Sequence, residues 1–119
     1  MIKLKRAYED PADDDGTRVL VDRLWPRGVS KERIRIDQRL SDIAPSNELR
    51  HWFDHDPAKW DEFHRRYLAE LDNPARQAEL DALAQIAQRG TLTLIYGARD
   101  TVRNQAVVLK ELIEARMNG

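Results

Sequence analysis

The sequence predicts a small layered α/β domain of three to four mostly parallel strands covered by about four to five helices, and three observations point there. Two short apolar runs rich in β formers, "RVLVDRLW" and "TLTLIYG", lie near opposite ends of the chain. Between them, apolar residues recur at helical spacing behind recognisable start signals. A strand that reaches the next strand through helices favours a right-handed parallel crossover, so residues 18–25 and 91–96 are expected side by side and parallel.

In "IKLKRAY" the apolar residues Ile2, Leu4 and Tyr8 alternate with polar ones, apart from an interruption at Arg6, and predict an edge strand. "EDPADDDGT" follows with Pro11, three consecutive acids and Gly16, too long for a tight hairpin and read as a solvated turn. Its acids lack the spacing to a bidentate acid that a calcium loop requires. Over residues 18–25, Leu20 and Leu24 face one way and Val19, Val21 and Trp25 the other, as in an inner strand covered on both faces. Pro26 cannot donate to a ladder and ends it, and Gly28 permits a sharp change of direction.

Residues up to 44 are charged and poorly patterned. Ser46 then reads as an N-cap, with Glu48 in the positive first turn and Leu49, Trp52 and Phe53 facing inward. Asp56 and Pro57 restart the signal for a helix with Trp60, Phe63, Tyr67, Leu68 and Leu71 on one stripe. Asn73 and Pro74 open a third, with Leu80, Leu83 and Ile86 or Ala87 inward until Gly90. "DTVRNQAVVLKELIEARM" predicts the last helix, with Val102, Ala106, Leu109, Leu112 and Ile113 on one face, and Asp100 could serve either in the site or only as its N-cap.

The length of 119 residues suits one domain over 1–119, large enough to hide roughly two-thirds of the unfolded chain's surface. With 20 basic and 21 acidic residues the formal charge is −1, so no global field draws the protein to nucleic acid or to an acidic membrane, and anion binding must be local. Cysteine is absent, which removes disulfides, thiolate catalysis and Cys-ligated zinc and fits a cytoplasmic location. No window approaches the roughly 18 apolar residues of a membrane span, and no repeat is visible.

Ligands of open α/β sheets sit beyond the carboxyl ends of the strands. The first inner strand delivers Asp22, Arg23 and Arg27 there, and the second delivers Tyr96, Gly97, Arg99 and Asp100 and runs into a helix N-terminus. Arginine's planar fork meets two oxygens at once and stays charged, which suits a phosphate or carboxylate. Asn104, four residues after Asp100, could hold a ligand or a loop. Trp25 beside the arginines could wall the pocket or stack on a guanidinium, or be structural. Any acid or base must come from Asp22, His55, Tyr96 or Asp100, and Asp22 and Asp100 are the candidate proton carriers. His51 and His55 are four apart, yet no third fixed ligand follows, so no metal is expected. Gly-rich phosphate loops and serine elbows are absent, and no cofactor is implied.

Three stretches, "RVLVDRLWPRGVSKE", "IAPSNELRHWFDHDPAKWDEFHRRYLAEL" and "TLIYGARDTVRNQAVVLKELI", make nearly the whole chain resemble the domain-of-unknown-function 488 family, the YeaO-like small bacterial proteins. The resemblance implies positions and no mechanism. It marks Asp22, Arg23, Trp25, Pro26, Arg27 and Gly28, then Ser46, Leu49, Arg50, Trp52, Phe53 and His55, then Tyr96, Asp100 and Asn104. Arg50 thereby joins the candidate anion ligands. The chain departs at Arg39, where similar proteins tend to have Trp, and at Arg103, where His is frequent, which weakens any scheme with a base just before Asn104.

The expected function is binding of a small anionic ligand by Arg23, Trp25, Arg27, Arg50, Tyr96 and Asn104 and by the amides of residues 100–102, with or without a reaction on it. Two readings compete. Exposed cations of "KERIRIDQR" could serve a non-enzymatic module for nucleic acid or protein, against which the overall charge argues. Alternatively the arginines could be architectural, tying the loop after the inner strand to the helix that begins at Ser46. A homodimer is compatible with a chain of this size.

Overall fold

The computed structural model of the chain describes residues 1–118. Among them four strands form one all-parallel sheet: β1 (Ile2–Arg6), β2 (Thr17–Leu20), β3 (Gln38–Arg39) and β4 (Leu92–Tyr96), in the order β1-β4-β2-β3. Five helices accompany it: α1 (Lys31–Ile34), α2 (Asn47–Phe53), α3 (Trp60–Leu71), α4 (Pro74–Arg89) and α5 (Gln105–Asn118). β1 is an edge strand, and β2 lies parallel and next to β4, as the crossover argument requires.

Successive side chains point to opposite faces of the sheet, and both faces of β4 are buried, so each sheet face has its own core. Val19, Val21, Leu92, Leu94 and Tyr96 join the larger one with residues of α2 to α5, among them Phe63, Tyr67, Leu80, Leu83 and Leu109. Leu20 and Ile95 join the smaller one with Ala7, Val29 and Ile34 of α1. The Tyr67 hydroxyl, wholly buried, donates to the Ile43 carbonyl at 2.6 Å and fixes the segment before α2 against α3.

The start signals operate as local chemistry dictates. Ser46, Asp56 and Asn73 accept from the backbone amides of Leu49, Ala58 and Arg76. Pro57 opens a 3-10 turn that leads into α3, and Pro74 opens α4. None of the described helices is long and apolar enough to cross a membrane.

Several expectations are corrected. The apolar pattern of residues 18–25 outruns its strand: β2 stops at Leu20, and Leu24 is 57% exposed. The chain leaves the ladder because the Asp22 carboxylate reaches across to the Gly97 amide at 2.8 Å. The charged stretch before residue 44 holds α1 and β3, the latter two exposed residues paired with Val19 and Leu20. Val102 and Leu68 are exposed instead of facing the core.

The acidic turn differs most. Asp13–Asp15 form a 3-10 turn in which Asp15 has no exposure at all. Lys3, Lys5 and Arg18 share one face of the sheet. Asp15 gathers them with contacts of 3.1, 2.8 and 2.5 Å. Arg18, itself buried, also donates to the carbonyls of Ile34 and Arg35, which the end of α1 leaves without helical partners.

Candidate functional site

At the carboxyl end of the sheet, the Val21 amide makes a last rung to the Ile95 carbonyl at 3.0 Å, after which the segments leaving β2 and β4 separate. A cavity of about 790 Å³ opens there. The segment after β2 lines it with Asp22, Arg23, Leu24 and Arg27, and the segment after β4 with Gly97 to Asp100 and Arg103 to Gln105. Ala44 and Pro45, then Arg50 and Phe53 of α2, His55 in the turn after it and Phe63 of α3 complete the wall.

The arginines are not equivalent. Arg23 donates from Nε to the Pro45 carbonyl at 3.0 Å and from Nη2 to the Ala44 carbonyl at 2.9 Å, with Asp42 3.9 Å away. It fastens the loop after β2 to the chain entering α2, the tie that the architectural reading assigned to the arginine motif. Arg27 is exposed and has no hydrogen bond or carboxylate partner among the described residues. Arg50 donates from Nη2 to Asn47 at 3.2 Å, while its Nε is buried without an acceptor among the described residues. Arg103 lies 3.4 Å from Asp100. Arg99 is exposed and, among the described residues, has no carboxylate partner.

Asp22 accepts from the Gly97 amide and from the Gln105 side chain. Burial pushes its carboxyl up to about 6, against the pull of those two donors and of the Arg50 and Arg39 charges. In the unfolded chain the group titrates near 3.8. Stability linked to Asp22 is therefore fully present below that value and is lost as pH rises through about 6, a cost of about 2–3 kcal/mol. Asp22→Asn should gain stability relative to the parent between about pH 4 and about pH 8, because the Gln105 amide can turn to present its oxygen. Urea unfolding at both ends of that window reads the difference. A pH-independent difference refutes the raised carboxyl.

Asp100 does not cap α5. Its Oδ1 accepts from the amides of Val102 and Arg103 at 2.9 and 3.0 Å, which holds its carboxyl below the usual range and occupies one of the amides, that of Val102, proposed for an anion. Asn104, 2% exposed, takes over as the helix's first acceptor, receiving the Val107 amide at 3.2 Å and donating to the Asp100 carbonyl at 2.9 Å. Of the other predicted residues, Tyr96 belongs to the larger core and Trp25 packs on the smaller one, and neither lines the cavity. The Trp25 indole donates to the Val29 carbonyl at 2.6 Å, and the Arg39 guanidinium sits 5.6 Å from its ring. His51 and His55 do not share a helix face, since α2 ends at Phe53 and Asp54 and His55 both take left-handed backbone (φ 47° and 54°).

A family model described as "Inactive DUF488-N3 subclade" matches residues 1–119. The chain belongs to the DUF488 family. It is similar to the uncharacterized protein YeaO of Escherichia coli, with 40% identity over 96% of this chain and 97% of the relative. It is also similar to the uncharacterized protein Rv3073c of Mycobacterium tuberculosis, with 42% identity over 97% of this chain and 95% of the relative. No solved structure matches. In this DUF488 chain, sequence reasoning missed Arg103 and Gln105 as cavity residues. The signal was the turn closed by Asp100, which brings residues 103–105 back toward the strand ends.

Proposed function

We propose that the cavity binds a small ligand through a phosphate or carboxylate group and holds it without turning it over. One observation carries the reading. Five arginines line a single cavity against two aspartates, and Arg27, Arg50 and Arg99 have no carboxylate partner among the described residues. Like charges gathered without counter-charges favour the arrival of an anion, and charge-assisted bonds from guanidinium supply both affinity and orientation. The placement at the strand ends follows the general habit of open α/β sheets.

Absence of turnover fits the subclade's description as inactive. Its support within the site is that both aspartates are already engaged, Asp22 by Gly97 and Gln105 and Asp100 by two amides. Arg103, a permanent cation 3.4 Å from Asp100, cannot serve as a base.

Sulfate is the probe of choice because it remains a dianion over the useful pH range. Calorimetric titration should show binding that weakens about tenfold in Arg27→Gln and in Arg50→Gln and is unchanged in Arg89→Gln, an exposed residue outside the cavity. Affinity should rise as pH falls through about 6, since protonating Asp22 removes a negative charge from the wall. Asp22→Asn should flatten that rise. Absence of sulfate, phosphate and acetate binding, or equal losses in all three arginine variants, overturns the proposal.

A further inference from the structure

We infer that the ligand taken by this cavity is an organic anion with a flat apolar body, an aryl phosphate or aryl carboxylate in chemical class, and not a bare oxyanion. The inference rests on the anion reading above and extends it to the other half of the ligand. Volume is the first ground. Sites of about 300–1,000 Å³ enclose whole organic molecules, and at about 790 Å³ this one lies within that range. A water molecule's share of liquid is about 30 Å³, so an oxyanion of five heavy atoms would leave most of the space as solvent.

The composition of the wall is the second ground. Phe53 and Phe63 are stacked with centroids 4.3 Å apart, are 7% and 2% exposed, and still line the cavity. Pro45 and Ala98 add further surface without side-chain donors or acceptors. Leu24 lines the same cavity and is 57% exposed, four residues past the end of β2. A single exposed leucine means little. One that shares a concave site with a ring pair and Pro45 contributes to a hydrophobic seat.

Charge and ring are also coupled in space by α2. Arg50 and Phe53 stand three residues apart on this helix and so share a side of it, within about one turn of 5.4 Å. A ligand whose anionic group lies against Arg50 therefore has its next atoms beside Phe53. Phenyl phosphate spans that distance, whereas inorganic phosphate does not.

The test titrates the full chain with inorganic phosphate and with phenyl phosphate at mildly alkaline pH, where both are mainly dianions. Phenyl phosphate is expected to bind about tenfold tighter, from burial of its ring. Leu24→Asn, at a position 57% exposed, should reduce that preference. Equal affinities for the two probes overturn this inference while the anion reading stands. Binding of neither overturns both. A preference undiminished in Leu24→Asn overturns the assignment of the ring to this wall.

Discussion

Gly16→Ala is expected to lower stability by at least about 4 kcal/mol, enough to leave much of the protein unfolded. Gly16 has φ 63° and ψ −132°, a conformation that side chains rarely adopt. A Cβ there would lie 2.1 Å from the Thr91 carbonyl oxygen and 2.9 Å from two further Thr91 atoms. That oxygen cannot retreat, because it accepts the Thr17 amide at 3.0 Å and sets the register in which Thr17 pairs with Leu92. The alanine must therefore displace either β2 or the entry to β4. Gly90→Ala is the matched control, since its backbone is extended and nothing lies within 4 Å of an added Cβ. Urea denaturation of both variants checks the prediction, and a Gly16→Ala loss below about 1 kcal/mol would refute the packing described.

Asp15→Asn is expected to cost about 3–5 kcal/mol, because removing one partner from a buried ionic group leaves the others uncompensated. Here it would strand Arg18, with Lys3 and Lys5 beside it. Burial alone would raise the Asp15 carboxyl, but bonds from Lys5, the Ala12 amide, Lys3 and Arg18 more than offset it and hold the group far below its ordinary 3.8. The stability so gained is present above 3.8 and is lost as pH falls below it. Acid titration of the parent should thus show a loss of stability whose slope is reduced in Asp15→Asn. Identical acid profiles for parent and variant would count against the buried cluster.

Features set by neighbouring residues were legible in the sequence. Ser46, Asp56 and Asn73 cap from their own side chains to amides two or three residues on, and no distant contact is needed to foresee it. The parallel pairing of β2 with β4 followed from the order of elements, and Tyr96 could have been assigned to the core by its alternation with Leu92 and Leu94. What was not legible depends on residues far apart. Asp15 reads as solvated within "DDDG", and only Lys3, Lys5 and Arg18 on one sheet face explain its burial. The early end of β2 needs Gly97 and Gln105, more than seventy residues away. Asp100 and Asn104 are both good caps, and local chemistry cannot choose between them. At the site, the strand-end rule brought Asp22, Arg23, Arg27, Asp100 and Asn104 to one cavity, and the resemblance brought Arg50. That rule could not foresee that Arg23 would be spent on the carbonyls of Ala44 and Pro45.

The strand order β1-β4-β2-β3 has a consequence for the nascent chain. β4 is the common partner of β1 and β2, yet among the described strands it is the last in chain order. Until residues 92–96 have left the ribosome, the only strand pairing available among the described residues is the two-residue contact of β2 with β3. The amino-terminal three-quarters must wait as helices and unpaired strands, so sheet closure is a late, long-range step with a high contact order. A chain halted before β4 would leave the strand Thr17–Leu20, with its buried Val19 and Leu20, without its main neighbour, a substrate for chaperones and proteases and not a folded intermediate.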